Sequence, residues 1–200
     1  MIAAPAIRFA TPADAAAMRA IYAPSVTASA TSFETEVPSV AAFAERVRVG
    51  GTHLPWLACV EGEALLGYAY ASVHRTRAAY RWTCEVSVYV REGARRRGVG
   101  RGLYASLLAL LEQQGYRHAY AGIALPNAAS VALHESLGFV RVALYPRIGY
   151  KHGAWHDVGW WGRTLGTLGD DVEPPSPRPI GELARGDADA ALVRGATLVR

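Results

Sequence analysis

Lysine is nearly absent from this chain: Lys151 is the one lysine among 21 basic residues, and arginine supplies the rest. Cysteine is almost as scarce. Cys59 and Cys84 are too few for a disulfide scaffold or a cysteine zinc cluster, and both stand in apolar runs that favour a buried structural thiol. No apolar run reaches the ~18 residues a membrane helix needs. The opening Met1-Ile2-Ala3-Ala4-Pro5 lacks the basic-then-apolar pattern of a secretory signal. A soluble, cytoplasmic protein with no membrane partner is expected. A net charge of +4 is too small an excess to argue for nucleic acid, and the arginines gather at one loop without the interleaved aromatics of a base-stacking surface. No nucleic-acid partner is expected, whereas a small partner carrying phosphates suits the balance.

What is present supports a packed core. Hydrophobic residues make up 51% and charged residues 19% of the 200, which excludes wholesale disorder and a coiled coil. Ile7-Arg8-Phe9 reads as a short strand. Thr11, Pro12 and Asp14 then supply an N-cap, a first-turn proline and a capping-box acid for a helix to about residue 25. A second helix is predicted over 40–49, ended by Gly50-Gly51. Residues 56–60 and 65–73 read as a hairpin turning at Glu61-Gly62-Glu63. There follow a strand at 82–90, a glycine loop, a helix at 103–114, a strand at 118–125, a short helix at 127–137, and strands at 140–150 and 155–165. Beyond Gly166 the run Pro174-Pro175-Ser176-Pro177-Arg178-Pro179 marks a change of composition. The chain thus divides into a domain at 1–166 and a mobile tail at 167–200.

The most informative stretch is Arg95-Arg96-Arg97-Gly98-Val99-Gly100-Arg101-Gly102, between a strand and a helix. The first turn of a helix carries unpaired N–H groups and the positive end of its dipole, and glycines let a pyrophosphate come against them. Two other phosphate loops fail on the letters. Leu103 follows Gly98, Gly100 and Gly102 where a dinucleotide fingerprint needs glycine, and no Gly-Lys-Ser/Thr P-loop is present. A solvated turn with glycines for tight packing is the plain alternative.

In this setting Arg-x-x-Gly-x-Gly resembles the acetyl-coenzyme A loop of the GNAT superfamily of N-acetyltransferases, and Asn127 and the helix ending Leu137-Gly138-Phe139 stand at matching places. More narrowly, residues 7–165 resemble the phosphinothricin N-acetyltransferases and the methionine sulfoximine (sulfone) acetyltransferases. Four stretches carry this: Ala79-Tyr80-Arg81-Trp82-Thr83-Cys84-Glu85-Val86-Ser87-Val88-Tyr89-Val90; the glycine loop; Leu125-Pro126-Asn127 running to His134-Glu135-Ser136-Leu137-Gly138-Phe139; and Gly149-Tyr150-Lys151-His152-Gly153-Ala154-Trp155-His156-Asp157-Val158-Gly159. The resemblance implies an α/β GNAT fold with a mixed, mostly antiparallel central sheet flanked by helices. It implies acetyl-coenzyme A as co-substrate, no metal, a small-molecule amine of the amino-acid-analogue kind as acceptor, and a homodimer. Cofactor contacts are implied at Val88, Tyr89, Val90, Arg95, Arg96, Arg97, Gly98, Val99, Gly100, Arg101, Gly102, Asn127 and Ser130.

Acetyl transfer to an amine needs a base for the ammonium, donors for the thioester oxyanion and a proton for the departing thiolate. Glu85 is an acid in mid-strand among apolar residues. Either it alternates outward to solvent, or it lies in a partly desolvated cleft where a carboxylate becomes a usable base. The resemblance implies the second, with backbone N–H groups near Val88, at a strand bulge, holding the thioester oxygen. His134 opens His-Glu-Ser-Leu, but Gly138 stands where a zinc-protease helix needs histidine. It is a general acid or base, or a residue that caps and packs a helix end. His152 and His156 flank Gly153 and read as a turn between strands, shaping the substrate mouth or a subunit contact and not a metal site. Phe33, Arg77 and Tyr80 match positions near the acceptor; Arg77 is a fork for a substrate carboxylate or an ordinary surface arginine. The residues from Trp155 to Trp161 are dimer surface or core. Competing functions are a non-catalytic acyl-coenzyme A-binding module, which the joint presence of Glu85 and His134 disfavours, and an acetyltransferase for protein or antibiotic amines.

Overall fold

The computed structural model describes residues 4–167 and 172–200; residues 1–3 of the N-terminal stretch and 168–171 of the expected tail lie outside it. The chain runs β1 (Ala6–Phe9), α1 (Ala15–Thr27), α2 (Val40–Gly50), β2 (Trp56–Glu61), β3 (Ala64–Val73), β4 (Thr83–Val90), α3 (Val99–Gln114), β5 (His118–Leu125), α4 (Ala128–Ser136), β6 (Val140–Lys151), β7 (Ala154–Thr164) and α5 (Arg185–Ala196). Seven strands make one sheet in the order β1-β2-β3-β4-β5-β7-β6. Every pairing is antiparallel except that of β4 with β5. This is the mixed, mostly antiparallel sheet expected. No helix among the described residues is long and apolar enough to cross a membrane.

Local chemistry sets the element ends. Asp14 accepts the Thr11 backbone N–H at 2.8 Å and pairs with Arg8 at 2.7 Å, which anchors the turn into α1. Ser39 caps α2 by accepting the Ala42 N–H at 3.1 Å. His152 and Gly153, at φ 49° and 77°, form the left-handed pair that a two-residue hairpin between β6 and β7 requires.

Two cores flank the sheet. On one face α3 packs Leu103, Leu107, Leu110 and Leu111, the helical spacing legible in sequence, against Leu57, Leu66, Val86 and Ala119. On the other, α1 and α2 bring Met18, Tyr22, Phe43 and Val47 onto Trp56, Ala58 and Tyr68. Cys59 and Cys84 are both buried and free. Burial pushes the Cys59 thiol up to about 11, so it stays protonated and inert.

The far end of the chain departs from expectation. Its prolines predict a mobile tail, yet the described residues from 172 onward dock on the body. Gln114, 1% exposed at the end of α3, donates to the carbonyls of His53 and Arg178, both at 2.7 Å, and Trp82 Nε1 donates to the Pro175 carbonyl at 2.9 Å. Helix α5 then lies along α3. Small residues one turn apart make the contact: Gly102 and Ser106 on α3, Ala191 and Gly195 on α5. A Cβ on Gly102 would meet the Gly195 carbonyl at 2.6 Å, and Ser106 Oγ donates to the Ala191 carbonyl at 2.9 Å. Composition reports the flexibility of a proline-rich chain in water; it does not report that buried partners await its carbonyls. The same contact explains why α3 begins at Val99, four residues before the expected start. Gly102 is helical, and its missing side chain serves α5.

A side chain at Gly195 would strike Ser106 Oγ and the Gly102 carbonyl. Gly195→Val is therefore expected to destabilise the fold by about 1–3 kcal/mol through overpacking, read as a lowered Tm in thermal denaturation. An unchanged Tm would show that α5 does not hold α3 this closely.

Candidate active site

The site begins where two strands part. β4 and β5 pair in parallel only from Thr83↔His118 to Glu85↔Tyr120. Beyond that point β5 pairs with β7, through to Leu125↔Asp157, and β4 keeps β3 alone. The Arg91 N–H donates to the Leu66 carbonyl at 2.9 Å, which fixes the phase of the β3–β4 ladder. In that phase Val86, Val88 and Val90 turn their backbone groups away from β3; the Val86 N–H completes the ladder to Tyr120, and the N–H groups of Val88 and Val90 face the gap. The gap is a cleft walled by Val86, Val88 and Tyr89 of β4, Ile123 of β5, and Asn127 and His134 around α4. The bulge expected near Val88 does not occur: the register is unbroken from Gly67↔Val90 to Val73↔Cys84. Divergence of the strands, and not a bulge, frees the donors.

At the end of β4 the cleft meets the start of α3. A Cβ on Gly100 would lie 3.6 Å from Val90 and 3.1 Å from Leu133 of α4. The backbone N–H groups of residues 96–101 have no acceptor among the described residues, so six consecutive donors gather at the positive end of the helix dipole. Such a nest fits an anionic diphosphate. The glycine-loop residues divide in their use. Arg95, Arg96 and Arg101 are exposed, with no ion pair among the described residues. Arg97 is committed elsewhere: it pairs with Glu61 at 2.6 Å and its Nε donates to the Arg200 carbonyl at 2.6 Å. Val99 buries its side chain and can offer only its backbone. Gly98, at φ 82°, has its back to the Leu198 carbonyl, and Gly102 faces α5.

Glu85 is the last residue of β4 to pair with β5. Its side chain, 30% exposed, shares a face with Ser87 and Tyr89, on the side covered by α1 and α2. His74 Nδ1 lies 2.8 Å from Glu85 Oε1. The imidazole is stacked on Tyr120 and stands edge-on to Tyr80 and Trp160. Sequence reasoning missed His74. Extending the β3–β4 register one step beyond Val73↔Cys84 sets it opposite Thr83, within reach of residue 85; the signal lay in that count.

His134 is 3% exposed, with both ring nitrogens bonded. Nδ1 donates to the Ser130 carbonyl at 2.7 Å, so Nε2 is the acceptor for the Tyr104 hydroxyl at 3.0 Å. Burial holds its pKa below the ordinary histidine value, against the opposing pull of the Ser130 carbonyl. Tyr104, a second residue missed in sequence, is pushed up by burial and stays a phenol. Asn127 caps α4, its Oδ1 accepting the Ser130 N–H at 3.1 Å, and both residues line the cleft.

Of the residues matched to the acceptor, Tyr80 reaches Glu85 through His74. Arg77 begins the same turn three residues earlier, exposed and without an ion pair among the described residues. Phe33 sits instead on Gly149, near His156, at the end of the β6–β7 hairpin. Its loop is pinned there by Lys151, whose buried Nζ donates to the Ser32 carbonyl at 2.6 Å; burial lowers the ammonium pKa. Thr31 of that loop lines the cleft. His156 Nε2 donates to the Lys151 carbonyl at 3.0 Å. Among the described residues no group of three His, Cys, Asp or Glu side chains is placed to hold a metal. A roomier, apolar hollow of about 660 Å³ lies between α2 and the end of β3, and none of the expected site residues lines it.

The acetyltransferase (GNAT) domain profile matches residues 7–160. The phosphinothricin N-acetyltransferase of Streptomyces viridochromogenes is 39% identical over 174 residues, 87% of this chain and 92% of that protein. The L-methionine sulfoximine/L-methionine sulfone acetyltransferase of Salmonella typhimurium is 36% identical over 155 residues, 76% of this chain and 90% of the other. Among solved structures, the GNAT superfamily phosphinothricin acetyltransferase from Sinorhizobium meliloti, in complex with AcCoA, superposes with a TM-score of 0.80 at 35% identity, over 86% of this chain and 93% of that one. This chain belongs to the GNAT family of acetyltransferases and is related to the phosphinothricin and methionine sulfoximine N-acetyltransferases.

Proposed function

We propose that the protein transfers an acetyl group from acetyl-coenzyme A to the amine of a small amino acid analogue, of the phosphinothricin or methionine sulfoximine/sulfone type, with Glu85 as general base. The observation that carries this reading is the position of Glu85 as the last paired residue before β4 and β5 part. A carboxylate stands at the fork, and unpaired backbone donors begin beyond it. Bound acetyl-coenzyme A supplies the acetyl group as an activated thioester. The backbone N–H groups of residues 96–101 would hold its diphosphate, with Arg95, Arg96 and Arg101 adding charge. Val88 and Val90 turn N–H groups into the cleft, and Val88 can donate to the thioester oxygen.

Glu85 takes the proton that the acceptor ammonium must lose. Arg77 offers an uncommitted planar fork to the acceptor's carboxylate, which selects against simple alkylamines that would leave it unpaired. For His134 the geometry supports the packing role: its Nδ1 proton is committed to Ser130, and its Nε2 holds the Tyr104 hydroxyl. The protein also suits a homodimer. Edge strand β6 exposes Val140, Val142, Leu144 and Ile148, and Trp155 is 53% exposed, whereas Trp161 is core. An apolar sheet edge of this kind calls for a cover, and a second copy supplies one.

Four outcomes are expected. Glu85→Gln should lower kcat by about 10²–10⁴-fold with little change in acetyl-coenzyme A affinity, while Gly100→Val should weaken that affinity by about tenfold or more by crowding the nest; turnover assays and calorimetric titration separate the two. A thiol-release panel should show phosphinothricin and methionine sulfoximine as good acceptors and spermidine, aminoglycosides and peptides as poor ones, and the reverse order would reject the substrate class. Light scattering at micromolar concentration should give a mass near twice 21.4 kDa; a monomer alone would remove the β6 interface.

A further inference from the structure

His74 stands just past the end of β3, and its ring is confined on three sides. Tyr120 stacks on it with ring centres 5.4 Å apart, Trp160 stands edge-on at 5.8 Å, and Tyr80 edge-on at 6.2 Å. Its side chain is only 17% exposed, and its one ring hydrogen bond among the described residues goes to Glu85 Oε1 at 2.8 Å. Tyr120 is also the residue paired with Glu85 across the parallel ladder. The strand junction that opens the cleft therefore builds the cage as well.

We propose that His74 is the positioning residue for Glu85. Its Nδ1–H donates to Oε1, fixes the rotation of the carboxylate and leaves Oε2 for the acceptor. The proposal rests on the reading of Glu85 as the base. In the step it serves, an N–H bond of the substrate ammonium breaks and an O–H bond forms at Oε2. The nitrogen lone pair is then free to attack the acetyl carbonyl, and His74 keeps its proton throughout. A glutamate with no such tether samples several rotamers, most of them aiming its oxygens away from the amine, and a misplacement of about 1 Å costs about a hundredfold in rate. A merely structural ion pair at a half-open site would touch stability slightly and turnover not at all.

Two substitutions separate the ring from the donor. His74→Phe keeps an aromatic ring inside the cage and removes the N–H. His74→Asn gives up the ring and returns an amide N–H close to the Nδ1 position. In His74→Phe, kcat is expected to fall about 10- to 100-fold, with the KM for acetyl-coenzyme A changed by less than about twofold. His74→Asn should recover a substantial part of that loss. Combining His74→Phe with Glu85→Gln should slow the enzyme no further than Glu85→Gln alone, because the two residues act as one unit. Should the phenylalanine variant not fold, His74→Gln against His74→Leu makes the same comparison of donor with no donor. Wild-type kcat in the variants lacking the donor, or losses that multiply in the double variant while Glu85→Gln by itself is slow, would overturn the role of His74 and leave Glu85 as base. Wild-type turnover in Glu85→Gln would overturn the base, and this proposal with it.

Discussion

Where β5 turns to β7 alone, β4 is left with a row of backbone donors and acceptors that nothing in the sheet satisfies. Unpaired backbone groups away from water are costly, so a sheet closes such gaps unless something holds them open. Aromatic rings line this one on one side. Tyr104 of α3, His134 of α4 and Phe139 stand 5.1–6.3 Å apart, ring centre to ring centre, and the hydroxyl-to-imidazole bond ties the first two together. Tyr104 and His134 line the gap, and close packing of the three rings keeps that wall rigid. The cleft, the position of Glu85 at its fork and the approach to the start of α3 all follow from that one separation of strands.

Charge is distributed with similar economy. Arg8, Arg46, Arg48 and Arg97 have carboxylate partners at 2.6–2.7 Å and serve the fold. Arg95, Arg96 and Arg101 do not, and they border the unpaired N–H groups of the helix start. The single lysine is spent inside the protein. Loss of water around its buried ammonium depresses the pKa, and the bond to the Ser32 carbonyl fixes the loop carrying Phe33 to the β6–β7 hairpin. An arginine would bring a larger, planar head with five donors to a place that offers one carbonyl.

The docked end of the chain bears on the site from behind. Leu198 lies against Gly98, the Arg200 N–H donates to the Arg97 carbonyl at 2.8 Å, and α5 meets α3 through Gly102. The nest therefore has protein on its far side as well as a cleft on its near side. A backbone turn with a left-handed Arg96 and Gly98 is held in shape by these contacts.

The fold was largely legible. The leucine period of α3, the turn residues at Gly62 and at His152-Gly153, and the capping residues Thr11 and Asp14 are short-range signals, and the elements they announce are present. Glu85 was legible for a similar reason: an acid in the middle of an apolar strand is a local anomaly. His74 and Tyr104 were not, since each acquires its partner from another element, across a ladder or between two helices. Proline content describes the tail segment alone, whereas Gln114 and Gly102, which receive it, lie 64 and 93 residues away in the chain. By itself the sequence determined what repeats within a few residues: helix and strand periods, caps, turns, and the one acid set in mid-strand among apolar residues. Tertiary structure alone decided which arginines stay uncommitted, where the strands part and which ring stands beside the carboxylate. Those depend on distances between segments, set by core packing and strand register, which no local pattern of residues encodes.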